Sequence, residues 1–314
     1  MKKKKILYLD QFAVSNMVDS TEGSVWYKAK TALLNAVKTN RVICPIPMEH
    51  YIETGARHRE DAIRQDDFFV EICGGKMFRL WEEIIASEIM LYVKHHITKP
   101  LSSTYLTDAD PSKDFRDNTF WDNVTKAHLM YSEMIENEKY GLNEVRSIIR
   151  NGKNQKHDND NLFMKAILKN ASANFSVLFS QIAMGKKLPG NTMISQCHKE
   201  NRIAFLLCLR RFTGKDFYLA SLEFRKNYFS NFPTLNSYYQ MKANLALNQI
   251  KESKNDDIDL ERISASLNVS DVMFTDKRQK NRIVELGLDK QYNTTIYSGQ
   301  ESDLWNFIEQ VEKL

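Results

Sequence analysis

The chain has 314 residues, of which 42% are hydrophobic and 27% are charged, and its 44 basic and 40 acidic side chains give a net charge of +4. This composition excludes a disordered chain, and the length allows one large domain or two ordinary ones. The mildly basic balance is compatible with a nucleic-acid partner but does not require one.

The cysteines and the amino-terminal segment limit the class of protein further. Cys44, Cys73, Cys197 and Cys208 form no Cys-x-x-Cys pair, which argues against a zinc ribbon and gives no support to a disulfide framework. The apolar run after the basic start ends at Asp10, short of the ~7–15 residues of a signal-peptide core. No stretch approaches ~20 apolar residues, so we expect no membrane partner and a cytoplasmic protein with reduced thiols.

Short strand-like segments lie near both ends of the chain. Each is rich in β-branched or aromatic residues and is bounded by polar or turn residues. In chain order, the predicted strands are 6–9, 42–46, 272–274 and 294–297. Residues 26–40 repeat apolar side chains at helical spacing between the first two strands, which indicates a βαβ crossover and a parallel sheet. Segments 258–268 and 278–288 predict helices on either side of the third strand.

The middle of the chain has a different pattern. It reads as successive amphipathic helices, for example at 77–96, 121–150 and 201–212, and no fixed-period repeat indicates a solenoid. The sequence therefore predicts an α/β fold in which residues 1–57 and 246–314 together form a small parallel-sheet domain. Residues 58–245 are predicted to form a large all-helical insertion.

Acidic residues follow or precede the predicted strands. Ligands of parallel α/β sheets gather beyond the carboxyl ends of the strands, so we expect these side chains to converge there. Glu49 and Glu53 lie one turn apart after the second strand and share a helix face. The positions expected at this edge are Asp10, Glu49, Glu53, Asp259 and Asp276, with Asp256 and Asp257 as alternatives to Asp259.

Carboxylates that converge repel one another, and a divalent cation removes this repulsion. Mg²⁺ and Mn²⁺ prefer oxygen ligands and leave positions open for water and phosphate. Such a site can activate water and shield the charge that develops on a phosphodiester. Each residue also has an ordinary alternative, because an aspartate that ends a strand is often a turn former or a helix N-cap.

Four segments resemble the PIN-domain family of metal-dependent ribonucleases. They are ILYLDQFAVSN, PIPMEHYIET, DIDLERISASLNVSDVMFTD and TTIYSG. The resemblance covers about residues 4–57 and 250–312 and does not extend to the helical middle. It implies a compact α/β/α fold. It also implies a site made of a first-strand aspartate, a glutamate after the second strand, an aspartate near the start of a late helix, and a Thr-Asp pair after the next strand.

Carried onto this sequence, the resemblance assigns a catalytic set and a metal-binding set. The catalytic residues it implies are Asp10, Glu53, Asp259, Thr275 and Asp276. Glu49 stays open as the alternative glutamate and Asp257 as an alternative aspartate, and the implied cofactor is Mg²⁺ or Mn²⁺. The implied activity is an endoribonuclease that hydrolyses RNA and leaves a 5′-phosphate. The resemblance also suggests a toxin or phage-defence effector with an inhibitory or activating protein partner, and it leaves tRNA, mRNA and a homo-oligomer open.

Two basic segments are the predicted RNA contacts. Arg210 and Arg211 lie in a stretch with interleaved aromatic residues, whereas Lys277, Arg278 and Arg282 follow the third strand beside the proposed metal site. Cations hold phosphates and aromatic rings stack on bases. For Arg210 and Arg211 an ordinary amphipathic helix with basic edges is the alternative. The alternative function is a non-catalytic RNA- or protein-binding scaffold with an inert α/β domain, which Mn²⁺ should not stabilise.

Overall fold

The structure is a computed structural model that describes residues 4–47, 50, 58–108, 159–188, 199–248 and 254–314. The chain forms two compact units. Unit 1 contains Met1–Arg79, Tyr105–Leu129 and Ala265–Leu314, and unit 2 contains Leu80–Thr104 and Met130–Ser264. These bounds differ from the predicted division at 57/58 and 245/246, which stays a prediction. Glu49, Glu53 and the predicted helix at 121–150 lie outside the described residues.

The described strands all belong to unit 1. They are β1 Lys5–Leu9, β2 Val42–Ile43, β3 Lys76–Phe78, β4 Leu106–Asp108, β5 Val272–Phe274 and β6 Thr295–Tyr297. Four of them form a parallel sheet in the order β2-β1-β5-β6, while β3 and β4 form a separate antiparallel pair. The predicted α/β class with a small parallel sheet is therefore confirmed, and β3 and β4 are strands that the sequence reading did not identify.

The described helices are spread over both units. In unit 1 they include α1 Gln11–Val18, α2 Val25–Lys38 and α3 Arg59–Ile72. Next come α4 Trp81–His95, the short α5 Ser102–Tyr105, α6 Asn159–Ala183, α7 Lys199–Leu209, α8 Gly214–Asn227 and α9 Pro233–Leu247. The last are α10 Lys254–Leu267, α11 Lys277–Glu285, α12 Leu288–Tyr292 and α13 Glu301–Lys313.

The register of the parallel sheet aligns the carboxyl ends of three strands. Leu9 pairs with Phe274, and Phe274 pairs with Tyr297. The next residues continue the alignment, since the Asp10 amide donates to the Phe274 carbonyl at 2.9 Å and the Thr275 amide donates to the Tyr297 carbonyl at 3.0 Å. One face of β1 packs into an apolar core that α2 and α13 cover. The sheet thus presents residues 10 and 275 at one edge.

All the regular secondary structure in the described residues of unit 2 is helical, and no strand occurs there. Its core is aromatic: the Phe175 and Phe224 rings lie 5.0 Å apart, and the Phe179 and Phe217 rings lie 5.1 Å apart. The Glu88 carboxylate is buried and accepts a 2.7 Å hydrogen bond from the Thr234 hydroxyl at the start of α9. A negative charge is favourable at a helix N-terminus, so this contact fixes α9 on α4.

Candidate functional site

The carboxylate of Asp10 lies at the carboxyl end of β1, and only 8% of the residue is exposed. Asp10 occupies the N-cap position of α1, but its side chain makes no capping hydrogen bond. Its Oδ2 instead accepts a 3.0 Å hydrogen bond from the Thr275 hydroxyl, 265 residues later in the chain. The Asp10 side chain therefore contacts a residue distant in the sequence, and it does not make the local hydrogen bond to the start of α1 that a helix N-cap would make.

Thr275 and Asp276 follow β5 directly. Thr275 is fully buried, and its hydroxyl sets the orientation of the Asp10 carboxylate. Asp276 is the N-cap of α11, and its Oδ1 accepts a 2.9 Å hydrogen bond from the Gln279 amide. Asp276 therefore has the helix-capping contact that the sequence analysis named as its ordinary alternative, at the same edge of the sheet. Of the predicted set, Asp10, Thr275 and Asp276 are brought together here.

Two buried polar side chains lie beside β1 or directly after Asp10. Gln11 is 5% exposed, and its Nε2 has no hydrogen-bond partner within the described part of the chain. The His50 ring is fully buried and lies 5.0 Å from the Phe69 ring and 6.1 Å from the Tyr8 ring, measured between centroids. The sequence offered no metal-binding spacing for His50, and the structure packs the imidazole among aromatic rings.

The side-chain oxygens at this edge are the type of ligand that a hard cation prefers, but the described residues supply too few of them. Mg²⁺ and Mn²⁺ favour carboxylate oxygens, which Asp10 and Asp276 supply. Within the described residues, no group of three or more His, Cys, Asp or Glu side chains could hold a metal ion. The glutamate that the resemblance assigns, Glu53 or Glu49, is outside those residues. A metal site at this edge would therefore need a further ligand from outside the described residues.

The predicted ligands Asp257 and Asp259 belong to α10 in unit 2, where both make ion pairs. Asp257 Oδ2 lies 2.8 Å from Lys199 Nζ, and its Oδ1 lies 3.2 Å from Lys242 Nζ. Asp259 pairs with Arg262 at 2.7 Å. Because α10 begins at Lys254, Asp259 lies in the second turn and does not open the helix as the sequence predicted.

A buried polar network around Lys199 is the strongest feature that the sequence reading missed. Lys199 Nζ contacts both Asp257 and Glu261 and donates to the Tyr238 hydroxyl at 2.8 Å. The same ammonium lies 5.1 Å from the centroid of the Trp81 ring. No local motif predicts this network, because Lys199 lies 39 to 62 residues from the polar side chains that it contacts.

The pKa values of the two carboxylates in this network are shifted in opposite directions. Burial alone would raise the pKa of Asp257, but the charges of Lys199 and Lys242 outweigh it and hold the pKa well below its usual range. For Glu261, burial dominates over the attraction of Lys199 and raises the pKa to about 7, with Glu82 and Asp257 adding repulsion. The shifts differ because Lys199 contacts both carboxylates, whereas only Asp257 also has a second lysine, Lys242, beside it.

A second missed cluster follows β6. Asp303 Oδ2 accepts hydrogen bonds from the Ser298 amide at 2.9 Å and from the Ser298 hydroxyl at 2.5 Å, and Lys280 Nζ contacts both carboxylate oxygens at 2.6–2.7 Å. Burial alone would raise the pKa of Asp303, but the contacts with Lys280 and Ser298 outweigh it and lower the pKa. The position of Ser298 just after a predicted strand is the signal that could have indicated this cluster.

The predicted RNA contacts differ in accessibility. Lys277 and Arg278 are exposed at the start of α11, whereas Arg282 is buried and donates to the Gln279 side chain. In unit 2, Arg210 donates to the Ser87 hydroxyl at 2.6 Å, and Arg211 is exposed. Of the five predicted contacts, Lys277, Arg278 and Arg211 are therefore the most accessible to a phosphate group.

No helix in the described ranges is both long enough and apolar enough to span a bilayer. No family model matches the chain, and searches of curated proteins and of solved structures found no significant match.

Proposed function

We propose that the chain is a metal-dependent endoribonuclease whose active site lies at the carboxyl edge of the parallel sheet in unit 1. The observation that carries this proposal is the Asp10 carboxylate, which is buried at the end of β1 and oriented by the Thr275 hydroxyl. Burying a carboxylate is costly unless it is paired or binds a metal, and a bound cation would supply that pairing charge. The PIN-like α/β/α arrangement is part of the same proposal.

The cation would be held by oxygen ligands of this chain. Asp10, Asp276 and Glu53, with Glu49 as the alternative, are the proposed ligands in unit 1. Within unit 2, Asp257 pairs with two lysines and Asp259 pairs with Arg262, so the part of either residue in the metal site stays a prediction from the resemblance. When bound, Mg²⁺ or Mn²⁺ would supply the positive charge that activates water and stabilises a phosphodiester under attack.

The other residues at this edge have roles that need no metal. Thr275 positions the Asp10 carboxylate, and Lys277 and Arg278 are placed to attract the phosphates of RNA. An RNA hydrolase that acts without restraint harms its cell. A toxin or phage-defence effector in the cytoplasm, controlled by a protein partner, is therefore the biological context that we propose.

The test is cleavage of a mixed, end-labelled RNA pool by the purified full-length chain with millimolar Mn²⁺ or with EDTA. Asp10→Asn is the test variant. Asp271→Asn is the matched control, because Asp271 lies at the amino end of β5 and contacts Lys5 and the Ile6 amide. We expect metal-dependent cleavage by the wild type and Asp271→Asn and none by folded Asp10→Asn. Equal cleavage by Asp10→Asn would refute the proposed site, and no cleavage by any folded form would favour the scaffold.

A further inference from the structure

A groove of about 560 Å³ runs between α2 and α13 in unit 1. This volume lies within the ~300–1,000 Å³ that is typical of small-ligand sites. Its floor includes Ala32 and Ile308, and its two ends differ in chemistry. None of the roles proposed above uses this groove.

One end of the groove is aromatic and basic. Trp305 is 43% exposed and Tyr27 is 37% exposed, although large aromatic side chains are usually well buried. Lys28 Nζ lies 4.8 Å from the centroid of the Trp305 ring. Proteins that bind single-stranded nucleic acids combine such rings, on which bases stack, with cations that hold the backbone.

The aromatic end adjoins the carboxyl edge of the sheet. Trp26, which precedes Tyr27, lies 5.5 Å from the Phe274 ring and 6.1 Å from the Phe12 ring. Phe274 directly precedes Thr275, and Phe12 is two residues after Asp10. A Cβ at Gly299 would lie 3.1 Å from Phe12 and 3.3 Å from Trp26, so a glycine there lets the chain after β6 pack closely on these rings. The aromatic end of the groove is thus linked through Trp26 to the residues that flank Asp10 and Thr275.

The other end of the groove is acidic. Glu309 and Glu312 line it together with the Asn35 amide. Glu309 is paired with Lys313, and the carbonyl of Glu312 accepts a hydrogen bond from Arg41 at 3.0 Å. Carboxylates repel phosphate groups, so the backbone of a bound strand is directed to the Lys28 end. The groove itself then suits an uncharged base.

We propose that Tyr27 and Trp305 stack an unpaired base of single-stranded RNA, with Lys28 beside the adjoining phosphate. The inference rests on the proposed function only in taking this RNA to be the substrate. Stacking tolerates every base because every base has a π face, so the subsite confers affinity for single strands more than sequence choice.

The test is fluorescence anisotropy of a short, labelled, single-stranded RNA titrated with the full-length protein in EDTA, where cleavage is blocked. We expect Trp305→Ala to weaken the Kd by about 5-fold or more, as for the loss of one stacked base. Trp305→Phe should retain most of the affinity. Leu101→Ala is the matched control, because Leu101 is an exposed apolar residue of unit 2 that lies outside the groove and outside both predicted basic segments.

Each result separates the groove from the nuclease proposal. RNA binding in EDTA that depends on Trp305, together with no cleavage in Mn²⁺, would support the groove and refute the nuclease. Unchanged binding by folded Trp305→Ala, beside Asp10-dependent cleavage, would refute the groove alone. No RNA binding by the wild type in EDTA would also overturn the inference, and it would leave the groove to a protein partner.

Discussion

Replacing Asp257 with asparagine removes the carboxylate that pairs with Lys199 and Lys242 in unit 2. The carboxylate and the Lys199 ammonium are both buried, and the Tyr238 hydroxyl donates to the same carboxylate at 2.7 Å. Removal of one partner from a buried ion pair costs about 3–5 kcal/mol, because the other charge is left in a poorly solvated place. Glu261 remains as a partner of Lys199, so we expect a loss near the lower bound, about 3 kcal/mol.

Glu261→Gln is the matched control in the same network. The folded-state pKa of Glu261 is raised from its ordinary value of 4.5 to about 7. Its contribution to stability is therefore fully present below pH 4.5 and is lost as the pH rises through 7. A glutamine does not titrate, so the stability of Glu261→Gln relative to the wild type should improve between pH 5 and pH 8. At pH 8 we expect Asp257→Asn to be far more destabilised than Glu261→Gln.

The assay is thermal unfolding followed by circular dichroism at pH 8, with and without Mn²⁺. A loss of ~3 kcal/mol corresponds to a fall in Tm of about 6–12 °C for a unit of this size. The expected fall is the same with and without the metal. A wild-type Tm for Asp257→Asn would refute the ion-pair account. If Asp257→Asn lost only the stabilisation by Mn²⁺, Asp257 would be a metal ligand.

Three further changes test other contacts. Thr275→Val removes the hydroxyl that orients Asp10, and we expect about 1 kcal/mol lower stability and roughly tenfold slower RNA cleavage; cleavage at the wild-type rate would show that the contact has no catalytic role. Lys280→Met removes a contact that lowers the pKa of Asp303 in the folded protein. The stability that this contact contributes is present above the ordinary aspartate pKa of 3.8 and is lost as the pH falls through the lower pKa of the folded state. The free energies of unfolding of the wild type and Lys280→Met should therefore converge as the pH falls below 3.8, and a difference in stability that does not change with pH would contradict this. Replacing Lys277 and Arg278 with alanine should reduce the slope of log K against log[salt] by about 1.4 for a single strand, and an unchanged slope would exclude both as phosphate contacts.

The parallel sheet could be read from the sequence because its strands are short and strongly patterned. The third predicted strand, 272–274, coincides with β5, and the fourth differs from β6 by one residue. The second was predicted as 42–46, but β2 ends at Ile43. From Cys44 onward the backbone turns to other partners: Cys44 donates to the carbonyl of Ile72, and Ile46 exchanges hydrogen bonds with residues 76 and 78. The local pattern of apolar residues does not change where the backbone changes partner, so the end of β2 could not be predicted from it.

The candidate site could be predicted only in part, for a similar reason. Asp10 was identified because it follows a predicted strand and parallel strands end at a common edge, whereas Thr275 was assigned only by the resemblance. The segment 77–96 read as one helix, but Met77 and Phe78 pair with β4 and α4 begins only at Trp81. Ion pairs such as that of Lys199 with Asp257 depend on tertiary packing, which no periodicity reveals.

The central claim is that the Asp10 carboxylate belongs to a metal site at the carboxyl edge of the sheet. The most direct measurement is titration of the purified wild type, Asp10→Asn and the control Asp271→Asn with Mn²⁺, followed by electron paramagnetic resonance of the free ion. This requires no knowledge of the RNA target. The account predicts that the wild type and Asp271→Asn bind Mn²⁺ and that folded Asp10→Asn loses this binding. Equal binding by all three proteins, or binding by none, would contradict it.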